Sequence, residues 1–419
     1  MEEKLQRFAR ATDFSACEVI IMKKAAVSRS PRPDYADAAD FLRVASVGII
    51  GWYHIWQQSW LNPDLHIGKL CLRFYPIVAC GYMFVDLMLL LSGFLLMLGF
   101  LNKRDRDPLG FYRSRAARIL PSYLFCLAVV LFVFDLPARV YPTAADLRAD
   151  LLPHLGFIHN FFYKSYIGTK LNGALWTLAV EVQFYLLFPL LARAFMKKPA
   201  LTYGCMTVFA LAVRFRLCLL DTDTGMYFNH LGAMLDVYAN GMLAANVYYQ
   251  LRKTQKKAWR VWLSSVLCVA ACVGIYLILS RQLRTTGPDK PHRGQMTWRY
   301  PLSALGAVFL VCGSRSIRPL RALFSNPITR FLSGISFNFY IWHQFLAVQL
   351  KKWRIPAYTG DAPNMEGQMP WQHTYTLVCF AAALLAAFLV TYLIEKPCAR
   401  FIKKHLKRDP ARDRIGISK

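Results

Sequence analysis

Acidic residues are scarce in this 419-residue chain, and charged residues of both signs make up only 18% of it. Soluble domains carry about 25% charged residues. Hydrophobic residues make up 56% of the chain and aromatic residues 14%. Too few polar side chains remain to cover one or two soluble domains of this length. The composition excludes a disordered chain, a fibrous chain and an ordinary soluble enzyme, and it indicates a polytopic membrane protein.

Motifs for a metal, a nucleotide or a hydrolase site are also missing. The nine histidines form no HxxxH or HExxH, and there is no CxxC, Walker loop, GxGxxG or GxSxG. We therefore expect no metal site. The 11 cysteines are an odd number scattered through apolar runs, which argues against a disulfide framework. We interpret them as small packing residues.

The basic residues are abundant and their placement is informative. There are 51 Lys and Arg against 24 Asp and Glu, which gives a formal charge of +27. They fall in short clusters between apolar stretches, as in the cytoplasmic loops of membrane proteins, and not on one soluble face. This pattern predicts a lipid bilayer and not nucleic acid as the partner of the chain.

Apolar stretches long enough to cross a bilayer recur along the sequence. A spanning helix needs about 20 residues. Ten stretches qualify, so the predicted fold class is an all-α membrane protein, a polytopic bundle of about ten transmembrane helices. These stretches are 42–61, 76–101, 119–137, 173–195, 200–220, 231–250, 260–280, 298–313, 331–350 and 371–394.

An even number of crossings places both termini on one side of the membrane. Of the 51 basic residues, 35 lie on that side, so the positive-inside rule predicts that both termini are cytoplasmic. We divide the chain into a cytoplasmic N-terminal segment (1–37), a transmembrane domain (38–402) and a basic cytoplasmic tail (403–419). The loop 138–172 is then external, and it is too aromatic for a simple solvated connector. It either dips into the membrane or caps a cavity, or it lies at the membrane surface.

Arg43 and His54 stand out in the first stretch, FLRVASVGIIGWYHIW. Eleven residues make about three helical turns, so both side chains share one face about 16 Å apart along the axis. Arg43 would meet cytosolic anions, and His54, near mid-membrane, is a candidate general base. A structural histidine bonded to a neighbouring helix is the alternative.

Carboxylates in the membrane form a second group, because an ionised side chain there needs a partner, a wet cavity or a function. Asp86 lies early in the second stretch and is a natural partner for Arg43 or His54, although a structural ion pair would also explain it. Glu181 shares a helix face with Tyr185, and Trp176 lies nearby. His343 is another lone intramembrane histidine.

Three arginines cluster at the cytoplasmic start of the third stretch, in FYRSRAARILPSY. These residues, Arg113, Arg115 and Arg118, favour phosphate because guanidinium groups form bidentate hydrogen bonds with it. Ordinary positive-inside charge or anionic lipid would also account for them.

Six segments resemble, in order, the motifs of the acyltransferase-3 family of integral membrane acyltransferases, which typically O-acetylate bacterial surface polysaccharides and peptidoglycan. The resemblance runs from about residue 38 to 402. The segments are FLRVASVGIIGWYHIW with its Arg-x10-His spacing, GYMFVDLMLLLSGFLL, FYRSRAARILPSY, LWTLAVEVQFYLLFPLL, ISFNFYIWHQF and IEKPCARF.

The resemblance implies an enzyme of the bacterial cytoplasmic membrane that transfers an acyl group, acetyl first, from cytoplasmic acyl-CoA to a hydroxyl. The acceptor would be a cell-surface carbohydrate, a lipid-linked glycan or a small secondary metabolite. On this chain Arg43 and His54 would form the essential pair, with Asp86 and Glu181 beside them. The three clustered arginines would contact the CoA phosphates, and Trp176, Tyr185 and His343 would face the acceptor.

Two other functions compete with this one. A multispan transporter or flippase of a lipid-linked or anionic substrate would also need intramembrane charges, but the chain shows no internal repeat. A membrane O-acyltransferase of the lipid-modifying kind would also contain an intramembrane histidine. It would lack the Arg-x10-His spacing.

Overall fold

A computed structural model describes residues 36–102, 107–220, 226–254, 257–285, 291–366 and 368–405. The predicted N-terminal segment, apart from its last two residues, and the predicted tail after residue 405 lie outside this part of the chain. The structure is 81% helical. This confirms a predominantly helical fold.

Each of the ten predicted stretches overlaps a long helix. These helices are α1 (Asp37–Ser59), α3 (Phe84–Leu101), α4 (Pro108–Val129), α7 (Trp176–Lys197), α8 (Pro199–Leu219), α9 (Leu231–Leu251), α10 (Ala258–Thr285), α11 (Pro291–Gly313), α13 (Pro327–Lys352) and α14 (Met369–Val390). The π-helical turns Val130–Asp135 and Thr391–Glu395 extend α4 and α14. The shorter helices are α2 (Tyr75–Ala79), α5 (Ala144–Leu155), α6 (Tyr163–Tyr166), α12 (Arg318–Phe324) and α15 (Lys396–His405).

By length and apolar composition, six helices in the described ranges could cross a membrane. They are Gly81–Leu101, Pro108–Asp135, Gly173–Lys197, Pro199–Leu219, Ala258–Arg284 and Met369–Ile402. A bent pair, Thr297–Gly313 with Arg318–Lys352 at 118°, makes a seventh candidate. These helices are consistent with a multi-pass membrane protein, while the count of ten and the orientation of the termini stay predictions.

Helices in the middle of the bundle carry the polar residues. In the Gly81–Leu101 span 78% of the apolar part is buried inside the bundle, against 22% for Pro199–Leu219 and for Ala258–Arg284. Helices α1 and α9 are too polar to count as membrane spans by composition, and both pack against α3. A helix surrounded by other helices can hold polar side chains because it presents little surface to lipid.

One element departs from the predicted all-α class. Strands β1 (Leu65–Ile67) and β2 (Leu70–Leu72) form an antiparallel hairpin after α1, with His66 opposite Cys71. The two-residue turn begins at Gly68, whose φ of +59° is the left-handed conformation that glycine adopts freely. The sequence signal for this hairpin was the pair Gly68–Lys69 between the short segments LHI and LCL.

The predicted external loop is folded. Helix α5, the 3₁₀ turn His159–Phe161 and α6 pack onto α4 and α7 through Tyr123, whose hydroxyl donates to the His154 carbonyl at 2.8 Å, and through Gln183, which donates to Asn160 at 2.9 Å. The rings of His154 and His159 stack 4.0 Å apart. Burial lowers the pKa of both imidazoles, that of His159 to about 3, so the pair is neutral.

Glycines set the distance between α3 and α9. A methyl group added at Gly241 would lie 2.2 Å from the Leu90 carbonyl oxygen, and one at Gly93 would lie 2.7 Å from the Tyr238 carbonyl oxygen. The two backbones therefore approach as closely as small residues allow.

We expect Gly241→Ala to destabilise the protein by about 1–3 kcal/mol, because the new methyl group meets backbone that cannot turn aside. Thermal unfolding of the purified protein in detergent measures the effect. Gly204→Ala on α8 is the matched control, since a methyl group there meets nothing within 4 Å. Both changes gain the same helix propensity. Equal unfolding temperatures for the two variants would contradict the close α3–α9 contact.

Candidate active site

Helix α1 carries Arg43 and His54 on one uninterrupted run, as their spacing predicts. Both side chains are half-buried. Over eleven residues the helix rises about 16 Å, so the guanidinium and the imidazole lie at well separated depths of the bundle.

His54 is held in one tautomer by its own helix. Its Nδ1 lies 2.9 Å from Gln57 Oε1, and Gln57 Nε2 donates to the Tyr53 hydroxyl at 2.9 Å. An amide oxygen only accepts, so Nδ1 of the neutral ring carries the hydrogen and Nε2 carries the lone pair. The second nitrogen is therefore available as a base.

His343 on α13 lies beside His54, with ring centroids 5.2 Å apart. Its side chain is buried, and Nδ1 lies 2.7 Å from the Tyr340 carbonyl oxygen. No described residue hydrogen-bonds to its Nε2. The structure thus brings together two of the predicted site residues that are 289 positions apart in the chain.

Gly51 makes this contact between α1 and α13 possible. It lies three residues before His54, and a methyl group there would be 2.7 Å from the Phe339 ring and 3.8 Å from His343 Cδ2. The rings of Phe339 and His343 are parallel, with centroids 5.9 Å apart. The absence of a side chain at Gly51 therefore lets both rings pack against α1.

Tyr340 and Thr177 lie between His343 and the part of α7 that carries Glu181. The Tyr340 ring lies 5.4 Å from the His343 ring, and Thr177 Oγ1 donates to the Tyr340 hydroxyl at 2.9 Å. Glu181 lies one turn further along α7. Its Oε1 accepts from Ser92 Oγ at 2.9 Å and from the Tyr185 hydroxyl at 2.5 Å. The predicted pairing of Glu181 with Tyr185 is present in the structure.

Arg115 adjoins this carboxylate group. Its guanidinium carbon lies 5.4 Å from the centroid of Phe111 and 6.0 Å from that of Tyr185. Arg113 and Arg115 are both half-exposed on the first half of α4. Arg115 therefore places a cation beside the Glu181–Tyr185 group.

Arg118 has a different environment from the one predicted. It forms an ion pair with Glu395, and its guanidinium lies 5.3 Å from the Phe337 ring centroid. Asn338 also donates to Glu395 at 2.7 Å. This guanidinium therefore joins α4 to the π-helical turn after α14. A phosphate role for Arg113, Arg115 and Arg118 stays a prediction.

Asp86 also differs from its prediction. Its carboxylate pairs with Arg299 on α11, with Nε and Oδ1 2.9 Å apart, instead of with Arg43 or His54. A second buried pair joins Arg214 to Asp236 through two hydrogen bonds of 2.8 and 2.6 Å. The structural alternative for Asp86 is the one present. Arg299 and Asp236 were not selected from the sequence, although each is the one charged residue in its predicted stretch, 298–313 or 231–250.

Trp176 begins α7, and its ring packs on Tyr166 of the 138–172 loop with centroids 5.9 Å apart. Asn172 of the same loop donates to the Ile341 carbonyl at 2.8 Å, two residues before His343. The loop is therefore attached to the helix that carries the second imidazole. Within the described ranges, no group of three or more His, Cys, Asp or Glu could hold a metal ion.

The fold and the motifs together define a class of protein. A family model described as an acyltransferase domain matches residues 37–396. The chain belongs to this family, acyltransferase-3, as its motifs predicted, and it is a membrane acyltransferase.

Its relatives include named enzymes. The acyltransferase MdmB of Streptomyces mycarofaciens is 25% identical over 390 residues, which cover 86% of this chain and 92% of MdmB. The O-acetyltransferase OatA of Staphylococcus aureus (strain NCTC 8325 / PS 47) is 30% identical over 170 residues, which cover 38% of this chain and 25% of OatA. No solved structure matches the chain.

We expect Gly51→Ala to lower acyl transfer by about 10- to 100-fold, because small displacements of reacting groups carry losses of that size. The added methyl group pushes the Phe339 ring, and with it His343, away from His54. The rate of acyl transfer in membrane vesicles measures the effect. Gly48→Ala on the same helix meets nothing within 4 Å and should keep wild-type activity. Equal rates for the two variants would show that the fit at Gly51 has no catalytic importance.

Proposed function

We propose that the protein moves an acyl group, acetyl first, from cytoplasmic acyl-CoA to a hydroxyl of a cell-surface carbohydrate or related acceptor. The observation that carries the proposal is that His54 Nε2 has no hydrogen-bond partner among the described residues, in a chain of the acyltransferase-3 family. The name of the relative OatA, an O-acetyltransferase, supports acetyl as the group and oxygen as its acceptor.

His54 acts as the general base in this reaction. Its Nε2 removes the proton of the acceptor hydroxyl while the oxygen attacks the thioester carbonyl carbon. The carbon–sulfur bond then breaks, and the same proton passes to the departing sulfur to give free CoA. Gln57 keeps the proton-bearing nitrogen turned away from the acceptor, so that the lone pair faces the reaction.

The donor binds at the first half of α4, where the arginines lie. Arg113 and Arg115 offer guanidinium groups to the CoA phosphates, which remain at the cytoplasmic surface. The pantetheine arm is long and thin, and it extends inward past Tyr185 and Glu181 toward His54. Arg43, in the first turns of α1, adds a cation on the cytoplasmic side, as Arg113 and Arg115 do. The proposed topology has ten crossings with both termini in the cytoplasm, in the bacterial cytoplasmic membrane.

His54→Gln should reduce acetyl transfer by at least about 100-fold, because it removes a base that contributes roughly 10²- to 10⁴-fold. Inverted membrane vesicles that contain the protein are supplied with radiolabelled acetyl-CoA, and base-labile label is measured in the carbohydrate fraction. His373→Gln, an exposed histidine on α14, is the matched control. Vesicles with His54→Gln that label glycans at the wild-type rate would exclude His54 as the base.

Arg115→Ala should raise the KM for acetyl-CoA about tenfold and change the rate at saturation much less, because it removes a charged hydrogen bond made mainly in donor binding. The same vesicle assay, run over a range of acetyl-CoA concentrations, separates the two quantities. Arg193→Ala removes an exposed arginine from α7 and controls for general loss of positive charge. An unchanged KM in the Arg115 variant would contradict a phosphate site on α4.

A further inference from the structure

The two histidines of the site share one hydrogen-bonding arrangement. His54 donates its Nδ1 hydrogen to Gln57, and His343 donates its Nδ1 hydrogen to the Tyr340 carbonyl. A neutral imidazole carries one ring hydrogen, so both Nε2 atoms carry lone pairs. Two bases of the same tautomer lie with their rings 5.2 Å apart.

The free nitrogen of His343 faces away from its own helix. Its Nδ1 is bound to a carbonyl one turn back on α13, which leaves Nε2 on the opposite edge of the ring. The adjacent Cδ2 atom lies against Gly51 of α1, 3.8 Å from where a methyl group would stand. Nε2 is buried, and no described residue hydrogen-bonds to it. A buried polar atom without a partner is costly, and here it adjoins the helix of the base.

His54 also differs from most histidine bases in what supports it. Catalytic imidazoles are commonly oriented by a carboxylate, which also stabilises the imidazolium. Here the orienting group is the neutral amide of Gln57. The hydroxyl-bearing rings of Tyr53 and Tyr340 contact His54 and His343, respectively. Tyr82 and the thiol of Cys80 lie next to Tyr53. The described contacts of the two rings include no carboxylate.

We propose that His343 is a positioning residue whose Nε2 accepts a hydrogen bond from protonated His54, so that the two imidazoles hold one proton between them. The inference rests on the proposed function and deepens it. The acceptor hydroxyl gives its proton to His54 Nε2. While the tetrahedral intermediate lasts, the new N–H is shared between two hydrogen-bond acceptors, the intermediate and His343 Nε2. When the carbon–sulfur bond breaks, the proton moves to sulfur, and both rings return to their neutral state.

A spectroscopic experiment tests the pair without relying on catalysis. The full-length protein is labelled with ¹⁵N-histidine and reconstituted in liposomes, and spectra of His54→Gln and His343→Gln assign the two rings. We expect both rings to carry hydrogen on Nδ1. On acidification, one step should move the Nε2 signals of both rings together, and each signal should change when the other histidine is replaced. Independent titration of the two rings, or hydrogen on Nε2 of His343, would overturn the proposal.

Enzyme kinetics provide the second test. His343→Leu should lower kcat for acetyl transfer by about 10- to 100-fold, since a hydrogen bond to a charged group is lost, and should leave the KM for acetyl-CoA within about twofold. His343→Gln, whose amide oxygen can accept the bond, should recover most of that loss. Thermal unfolding shows whether either variant is misfolded.

Three kinetic outcomes count against the proposal: equal kcat values for the Leu and Gln variants, a loss that lies in KM alone, or wild-type activity in both. Failure of the proposed function gives a different pattern. In that case wild-type vesicles transfer no acetyl group, and the ¹⁵N spectra still decide whether the imidazoles share a proton.

Discussion

An ionised side chain within an apolar bundle must find a partner, and this constraint determines which helices are neighbours. Asp86 pairs with Arg299, Asp236 with Arg214 and Glu395 with Arg118. Two of the pairs, Asp86 with Arg299 and Arg118 with Glu395, join segments that are distant in sequence, whereas Arg214 and Asp236 join the consecutive helices α8 and α9. Breaking such a pair by removing one partner leaves a buried charge and costs about 3–5 kcal/mol. The pairs therefore specify the packing of the bundle, even though an apolar replacement of both partners could be as stable.

The two imidazoles are the exception to this rule. A neutral histidine needs hydrogen bonds and no counter-charge, so it can lie inside the bundle at low cost as long as it stays unprotonated. Each ring forms a local hydrogen bond with one nitrogen, through Gln57 or the Tyr340 carbonyl, and neither Nε2 atom has a partner among the residues that the structure describes. Chemistry that moves one proton for a short time suits this arrangement, because the charge exists only while the intermediate does.

The sequence predicted what depends on local geometry. Apolar runs located the long helices, and the eleven-residue spacing placed Arg43 and His54 on one helix because helix geometry is fixed by residue count. Glu181 and Tyr185, four residues apart, also met as predicted. The contact of His54 with His343 and the partner of Asp86 depend on packing between distant helices, and no single sequence encodes such packing in a readable pattern. The hairpin at Gly68 was missed because its two triplets are short.

The 138–172 loop is attached to the helix that carries His343. Asn172 donates a hydrogen bond to the Ile341 carbonyl, and a methyl group added at the neighbouring Gly173 would lie 3.8 Å from the side chain of Gln344. Under the proposed function the acceptor arrives from this side and the donor from the side of Arg115. The hydrogen bond from Asn172 therefore helps to hold the His343 ring in its place beside His54.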